Sequence, residues 1–139
     1  MNMIAILSKS ILFRNIPESD ISGLLETTAY RVASYRPKDI IALQGTPCNY
    51  LMIVLNGLLQ GQMVNDAGKL VVIEELEAAQ LLAPAFLYAP KNNLPVNIIA
   101  MEPSEILFIH RDDFTVWMQQ NKHLLQNFLM LISGRSHFL

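Results

Sequence analysis

From Tyr30 onward turn signals interrupt the chain at short, nearly regular intervals, and this spacing limits the architecture more than any other feature. Tyr30, Val32 and Ser34 alternate with Arg31, Ala33 and Tyr35, and Arg36-Pro37-Lys38-Asp39 breaks the run before Ile40-Ile41-Ala42-Leu43. The pattern predicts two strands joined by a turn. Gln44-Gly45-Thr46-Pro47 is a second turn, and a strand-like run follows from Tyr50 to Leu55. Asn56-Gly57 then supplies a strong hairpin signal, because both central positions of such a turn need positive φ. Leu58 to Val64 is the return strand, Asn65-Asp66-Ala67-Gly68 turns again, and Lys69 to Leu76 is rich in Val and Ile. Short strands divided by turns every ~8–12 residues predict an antiparallel sandwich or barrel rather than a parallel sheet.

The flanks have a different period. Ile4, Leu7, Ile11 and Leu12 recur at helical spacing, and Pro17-Glu18-Ser19-Asp20 suits a helix N-terminus, with Ile21, Leu24 and Leu25 as its buried stripe. Ala78 to Pro90 has no clear period, although Pro84 can open a short helix through Phe86-Leu87-Tyr88. Val96 to Met101 and Glu105 to His110 are further strands around Glu102-Pro103-Ser104. A helix then begins at Arg111-Asp112-Asp113, with Asp112 or Asp113 as cap and Phe114, Trp117 and Met118 on one face. The last helix follows Asn121 and carries Leu124, Leu125, Phe128, Leu129, Leu131 and Ile132, a wider apolar face than a surface helix needs. The chain reaches Phe138-Leu139 without a C-cap, which points to a dimer seam or a helix that continues.

At 139 residues the chain has the size of one domain. Ten Lys and Arg against 12 Asp and Glu leave it without the basic surface that a phosphate backbone requires. It is 52% hydrophobic and 16% charged, which excludes disorder and implies apolar surface that needs a partner. No apolar run approaches the ~20 residues of a membrane span, and the apolar start lacks the basic flank and cleavage site of a secretory signal. A single cysteine, Cys48, fits a reducing compartment, so a soluble cytoplasmic protein is expected.

Catalytic chemistry has little to stand on. His110, His123 and His137 are far apart and at no metal-ligand spacing, so each is expected at a surface or helix end. Glu74, Glu75 and Glu77 suggest a solvated edge. Asn92-Asn93 is a turn, or a pair of amides facing a ligand, and Trp117 and the methionines are expected in the core. Neither a metal nor another cofactor is implied.

The order of elements, with Leu12-Phe13-Arg14-Asn15-Ile16, Tyr35-Arg36-Pro37-Lys38-Asp39, Gln44-Gly45, Asn56-Gly57, Gly68-Lys69, and Ile106-Leu107-Phe108-Ile109 leading to Asp113-Phe114, resembles the N-terminal sensor domain of Crp/Fnr transcription regulators. The resemblance implies a mainly β fold with flanking helices: an antiparallel double-stranded β-helix, the jelly-roll-like β-roll of cyclic-nucleotide-binding domains. The roll and its N-terminal helices would occupy residues 1–120, and a long dimerisation helix would begin within residues 121–139. In the family's nucleotide binders a Gly-Glu pair and an Arg-Ser or Arg-Thr pair hold the ribose and the cyclic phosphate. By resemblance those positions are Leu82-Ala83 and Leu94-Pro95, and Leu94 cannot supply the cation that phosphate needs.

Leu82, Ala83, Pro84, Ala85 and Phe86, with Leu94, Pro95 and Val96, would then either line an apolar pocket for a hydrophobic or aromatic effector or fill it themselves. A homodimer is expected through Leu125, Phe128, Leu129 and Ile132. DNA would be met only by a helix-turn-helix domain that this chain does not contain, and no membrane partner is implied. The competing readings are a small cupin-like enzyme and an interaction module without a ligand.

Overall fold

The computed structural model describes residues 2–134. Eight strands among them form two four-stranded antiparallel sheets that face one another. They are β1 (Tyr30–Tyr35), β2 (Ile40–Ala42), β3 (Tyr50–Asn56), β4 (Leu58–Val64), β5 (Leu70–Glu77), β6 (Leu81–Leu82), β7 (Asn97–Ala100) and β8 (Ser104–His110). One sheet has the order β1-β8-β3-β6 and the other β2-β7-β4-β5. Successive strands therefore alternate between sheets except at β4–β5, which is the jelly-roll winding that the resemblance implies, within the antiparallel sandwich that the turn spacing predicts.

Asn56-Gly57 is not the hairpin expected from its composition. β3 pairs with β8 and β6, whereas β4 pairs with β7 and β5, so the dipeptide turns the chain from one sheet into the other. Only Gly57 has positive φ, at 98°. Its lack of a Cβ is needed for a second reason, because a Cβ there would lie 2.6 Å from the Cα of Ser104. Asn56 Nδ2 donates to Glu105 Oε1 at 2.7 Å and the Leu58 amide donates to Ser104 Oγ at 3.2 Å, which holds the corner against the start of β8. The sequential hairpin is β4–β5. Its turn closes on Asn65 Oδ1, which accepts from the amides of Ala67 and Lys69.

Leu51 to Leu55 of β3 are all buried because both faces of this strand are covered. One face meets the opposite sheet; α1 (Met3–Ser8) and α3 (Arg111–Gln120) pack on the other. α2 (Glu18–Glu26) packs beside α1, and α4 (Lys122–Ser133) packs against α3 and the 3-10 turn Ile11–Phe13. Trp117 meets Phe13 and Phe114 edge-to-face, each at 6.4 Å between centroids, and its Nε1 donates to Thr28 Oγ1. Asn127 Nδ2 donates to the carbonyls of Leu12 and Arg14, which fastens α4 to the N-terminal segment.

Several local expectations change. The cap of α3 is His110, whose Nδ1 accepts from the Asp112 amide, while Asp112 and Asp113 sit in the first turn. The stretch after Ala78 contains the two-residue strand β6, too short to produce a period. Met101 and Met130 are exposed rather than in the core. His137 and Phe138-Leu139 lie outside the described residues.

Candidate functional site

The loop from Ala83 to Val96 carries the chain from β6 in one sheet to β7 in the other. Ala83 takes a left-handed conformation, φ 45°, and so turns the chain out of β6 into a 3-10 turn that opens on Pro84. The outer part of the loop is fastened to α3. Arg111 Nη1 donates to the Leu87 carbonyl at 3.2 Å, and the Tyr88 hydroxyl reaches Thr115 Oγ1 at 2.8 Å. Its return limb is fastened to the loop before β3. Asn92 Nδ2 donates to the Cys48 carbonyl and to Asn49 Oδ1, Asn93 Nδ2 donates to the Gly45 carbonyl, and the Leu94 amide donates to the Thr46 carbonyl. The two asparagines are thus ties between loops.

Behind these ties lies a cavity of about 110 Å³. Ile41 and Ala42 of β2 line it from one sheet, and Tyr50, Met52 and Phe108 of β3 and β8 from the other. Thr46, Pro47, Cys48, Asn49 and Leu94 complete the wall. Met52 pairs with Phe108 in the β3–β8 ladder, so period-2 alternation sends both side chains to the same face. Cys48 is 2% exposed, and burial pushes its thiol up to about 11, against the opposing charge of Arg111 and a backbone hydrogen bond at Tyr50. At neutral pH it is a thiol, a small apolar wall element rather than a nucleophile.

Of the eight residues singled out for ligand binding, only Leu94 lines this cavity. Leu82 pairs with Met52 and is buried in the sheet; Ala83, Pro84 and Val96 are buried, Phe86 and Pro95 are half-buried, and Ala85 is exposed. Cys48, Tyr50, Met52 and Phe108, which line the cavity, were not singled out from the sequence, although the alternation within β3 and β8 was available as a signal for the last three. On α4, Leu125 and Leu129 are 37% and 48% exposed and Ile132 is half-buried, while Phe128, at 2%, turns inward against Phe114 and Tyr88.

A larger groove of about 380 Å³ lies between Lys9–Ile11, the β5–β6 turn and Leu131 of α4, with a mixed lining that includes Lys9, Glu74 and Gln80. Among the described residues no three His, Cys, Asp or Glu side chains come together as a metal would require, and no helix is long and apolar enough to cross a membrane.

A roll of this winding, carrying a loop with a short 3-10 turn and followed by two helices, can be compared with known proteins. The cyclic nucleotide-binding domain family matches residues 32–121. The chain belongs to this family. Its structural relatives are transcription regulators of the Crp/Fnr type. A transcriptional regulator from Thermotoga maritima is 30% identical, with 81% of this chain and 86% of that one covered and a TM-score of 0.73. The sensor domain of the transcriptional regulator DNR from Pseudomonas aeruginosa superposes with a TM-score of 0.79 at 18% identity, covering 96% and 87% of the two chains. For the Thermus thermophilus catabolite activator protein the TM-score is 0.78 at 18% identity, over 89% of this chain and 57% of that one. The two likenesses at 18% establish the fold alone. No curated protein matches the chain.

Proposed function

We propose that this Crp/Fnr-type domain is the sensing half of a dimeric transcription regulator, and that its effector is a small apolar molecule in place of a cyclic nucleotide. The observation that carries this reading is Leu94. It occupies the position that the resemblance assigns to the phosphate-binding arginine, it is 3% exposed, and it forms part of the cavity wall. A cyclic phosphate placed at Leu94 would lose its hydration without gaining a charge-assisted partner from that loop. Lys91 is exposed on the loop and Arg111 is engaged by the Leu87 carbonyl. The cavity volume also argues against a nucleotide, since about 110 Å³ is well below the ~300 Å³ at which pockets for drug-sized ligands begin.

Dimerisation would use the outer face of α4. Leu125, Leu129 and Ile132 follow a four-three spacing, which is that of a two-helix seam, and Met130 beside them is 65% exposed. Phe128 would support that seam from inside the protomer. Effector binding would act on the paired helices through the Arg111–Leu87 and Tyr88–Thr115 ties, which join the loop carrying Leu94 to α3 and hence to α4. DNA binding would belong to a domain outside these residues.

A thermal-shift and calorimetric titration tests the reading, because a ligand that binds only the folded form raises the melting temperature by mass action. Small apolar ligands should raise it and cyclic AMP and cyclic GMP should not; a saturable rise with either nucleotide would overturn the assignment at Leu94. The solution mass should be that of a dimer and should fall to that of the protomer in Leu129→Glu.

A further inference from the structure

The interior face of β1 adds a feature that the apolar reading of the cavity does not use. Arg31 pairs with Phe108 across the β1–β8 ladder, so both side chains emerge on the face that walls the cavity. The Arg31 guanidinium carbon lies 4.1 Å from the centroid of the Phe108 ring and 6.0 Å from that of Tyr50. Both rings line the cavity, and the guanidinium lies against them just outside it, since Arg31 is not itself part of the wall. Arg31 is exposed, and among the described residues it has no hydrogen bond or carboxylate partner, the ion pair found being His110 with Asp112. His110 itself is occupied as the cap of α3. A planar fork of five donors is therefore held beside an apolar space without an acceptor.

We infer that the effector is a small apolar carboxylate, its hydrocarbon body in the cavity and its carboxylate paired with Arg31 at the rim. The inference rests on the apolar-cavity reading above. A carboxylate suits the site better than a phosphate monoester, and a cyclic nucleotide, whose phosphate also carries a single charge, is too large for a cavity of about 110 Å³. One free guanidinium neutralises one negative charge and accepts a carboxylate bidentately, whereas Arg111, which would supply a second, is bonded to the Leu87 carbonyl. Size narrows the class further, because about 110 Å³ is somewhat less than the ~150 Å³ apolar cavity that admits benzene. A branched acid of four or five carbons is the matching body. Neither Arg31 nor Phe108 belongs to the loop in which the resemblance puts the ligand contacts.

The test pairs the acid with its uncharged isostere on the full chain, isovalerate with isovaleramide, followed by calorimetry. Isovalerate should bind roughly tenfold or more tightly than isovaleramide. Arg31→Met keeps the aliphatic stem over Phe108 and should remove that preference while leaving isovaleramide affinity unchanged. Leu94→Phe, which fills the cavity, should weaken both. Equal binding of acid and amide, insensitive to Arg31→Met, would overturn the carboxylate while leaving the apolar cavity standing. Loss of isovalerate in Arg31→Met without any effect of Leu94→Phe would move the ligand to the surface and also overturn it. Failure of both isovalerate and isovaleramide to bind the wild-type chain would remove the apolar-cavity reading and this inference together.

Discussion

Phe128 and Leu129 are neighbours on α4 with opposite roles, and truncating each to alanine separates the protomer's core from the proposed seam. Phe128 is 2% exposed, with Phe114 at 5.1 Å and Tyr88 at 5.8 Å between ring centroids, both edge-to-face. Removing a fully buried phenylalanine costs ~3–5 kcal/mol in lost transfer and cavity terms. Against a typical stability of ~5–15 kcal/mol that is a large share, equivalent to roughly 10–20 °C in melting temperature. Leu129 is 48% exposed, so within the protomer its truncation should stay within about 0.5 kcal/mol. Chemical denaturation at two protein concentrations distinguishes the cases. The Phe128→Ala loss should be the same at both, because it is internal to the chain, while the Leu129→Ala loss should shrink on dilution as dimer gives way to protomer. A Phe128→Ala midpoint unchanged within error, with a weakened dimer, would refute the inward packing and put Phe128 in the seam.

Two further outcomes follow. Gly57→Ala combines a left-handed φ, unfavourable for alanine by ~1–2 kcal/mol, with a Cβ 2.6 Å from Ser104 Cα, so its urea midpoint should fall by more than the backbone term alone, and Gly23→Ala, with nothing within 4 Å, serves as the unhindered comparison. Burial raises the Cys48 thiol from 9.0 to about 11, so the folded state holds its proton where the unfolded state has released it; the stability this confers is complete below pH 9 and is lost as pH rises towards about 11. Melting curves across that window should decline less steeply in Cys48→Ala, with the remaining decline partly due to Tyr88, whose hydroxyl is also raised by burial.

All the strands but β6 were readable in order along the chain because turn chemistry is local. Gly68 at φ 79°, the Asn65 side chain and the proline-containing breaks act within a few residues, and the alternation between them needs no tertiary information. The apolar width of α4 was equally visible, since it depends only on helical spacing. Pairing was not. Asn56-Gly57 has the composition of a hairpin, but the chain changes sheets there because β8 and β6 occupy both edges of β3, a competition among segments ~30–50 residues apart that a dipeptide cannot encode. The cavity was hidden for the same reason. The ligand positions suggested by resemblance lie in one continuous loop, whereas the walls come from β2, β3, β8 and the loops before β3 and β7, and meet only when the two sheets face each other. Phe128 and Leu129 show the division most simply: helical spacing places both on a broad apolar face, and only the packing of Phe114 and Tyr88 decides which of the two is buried.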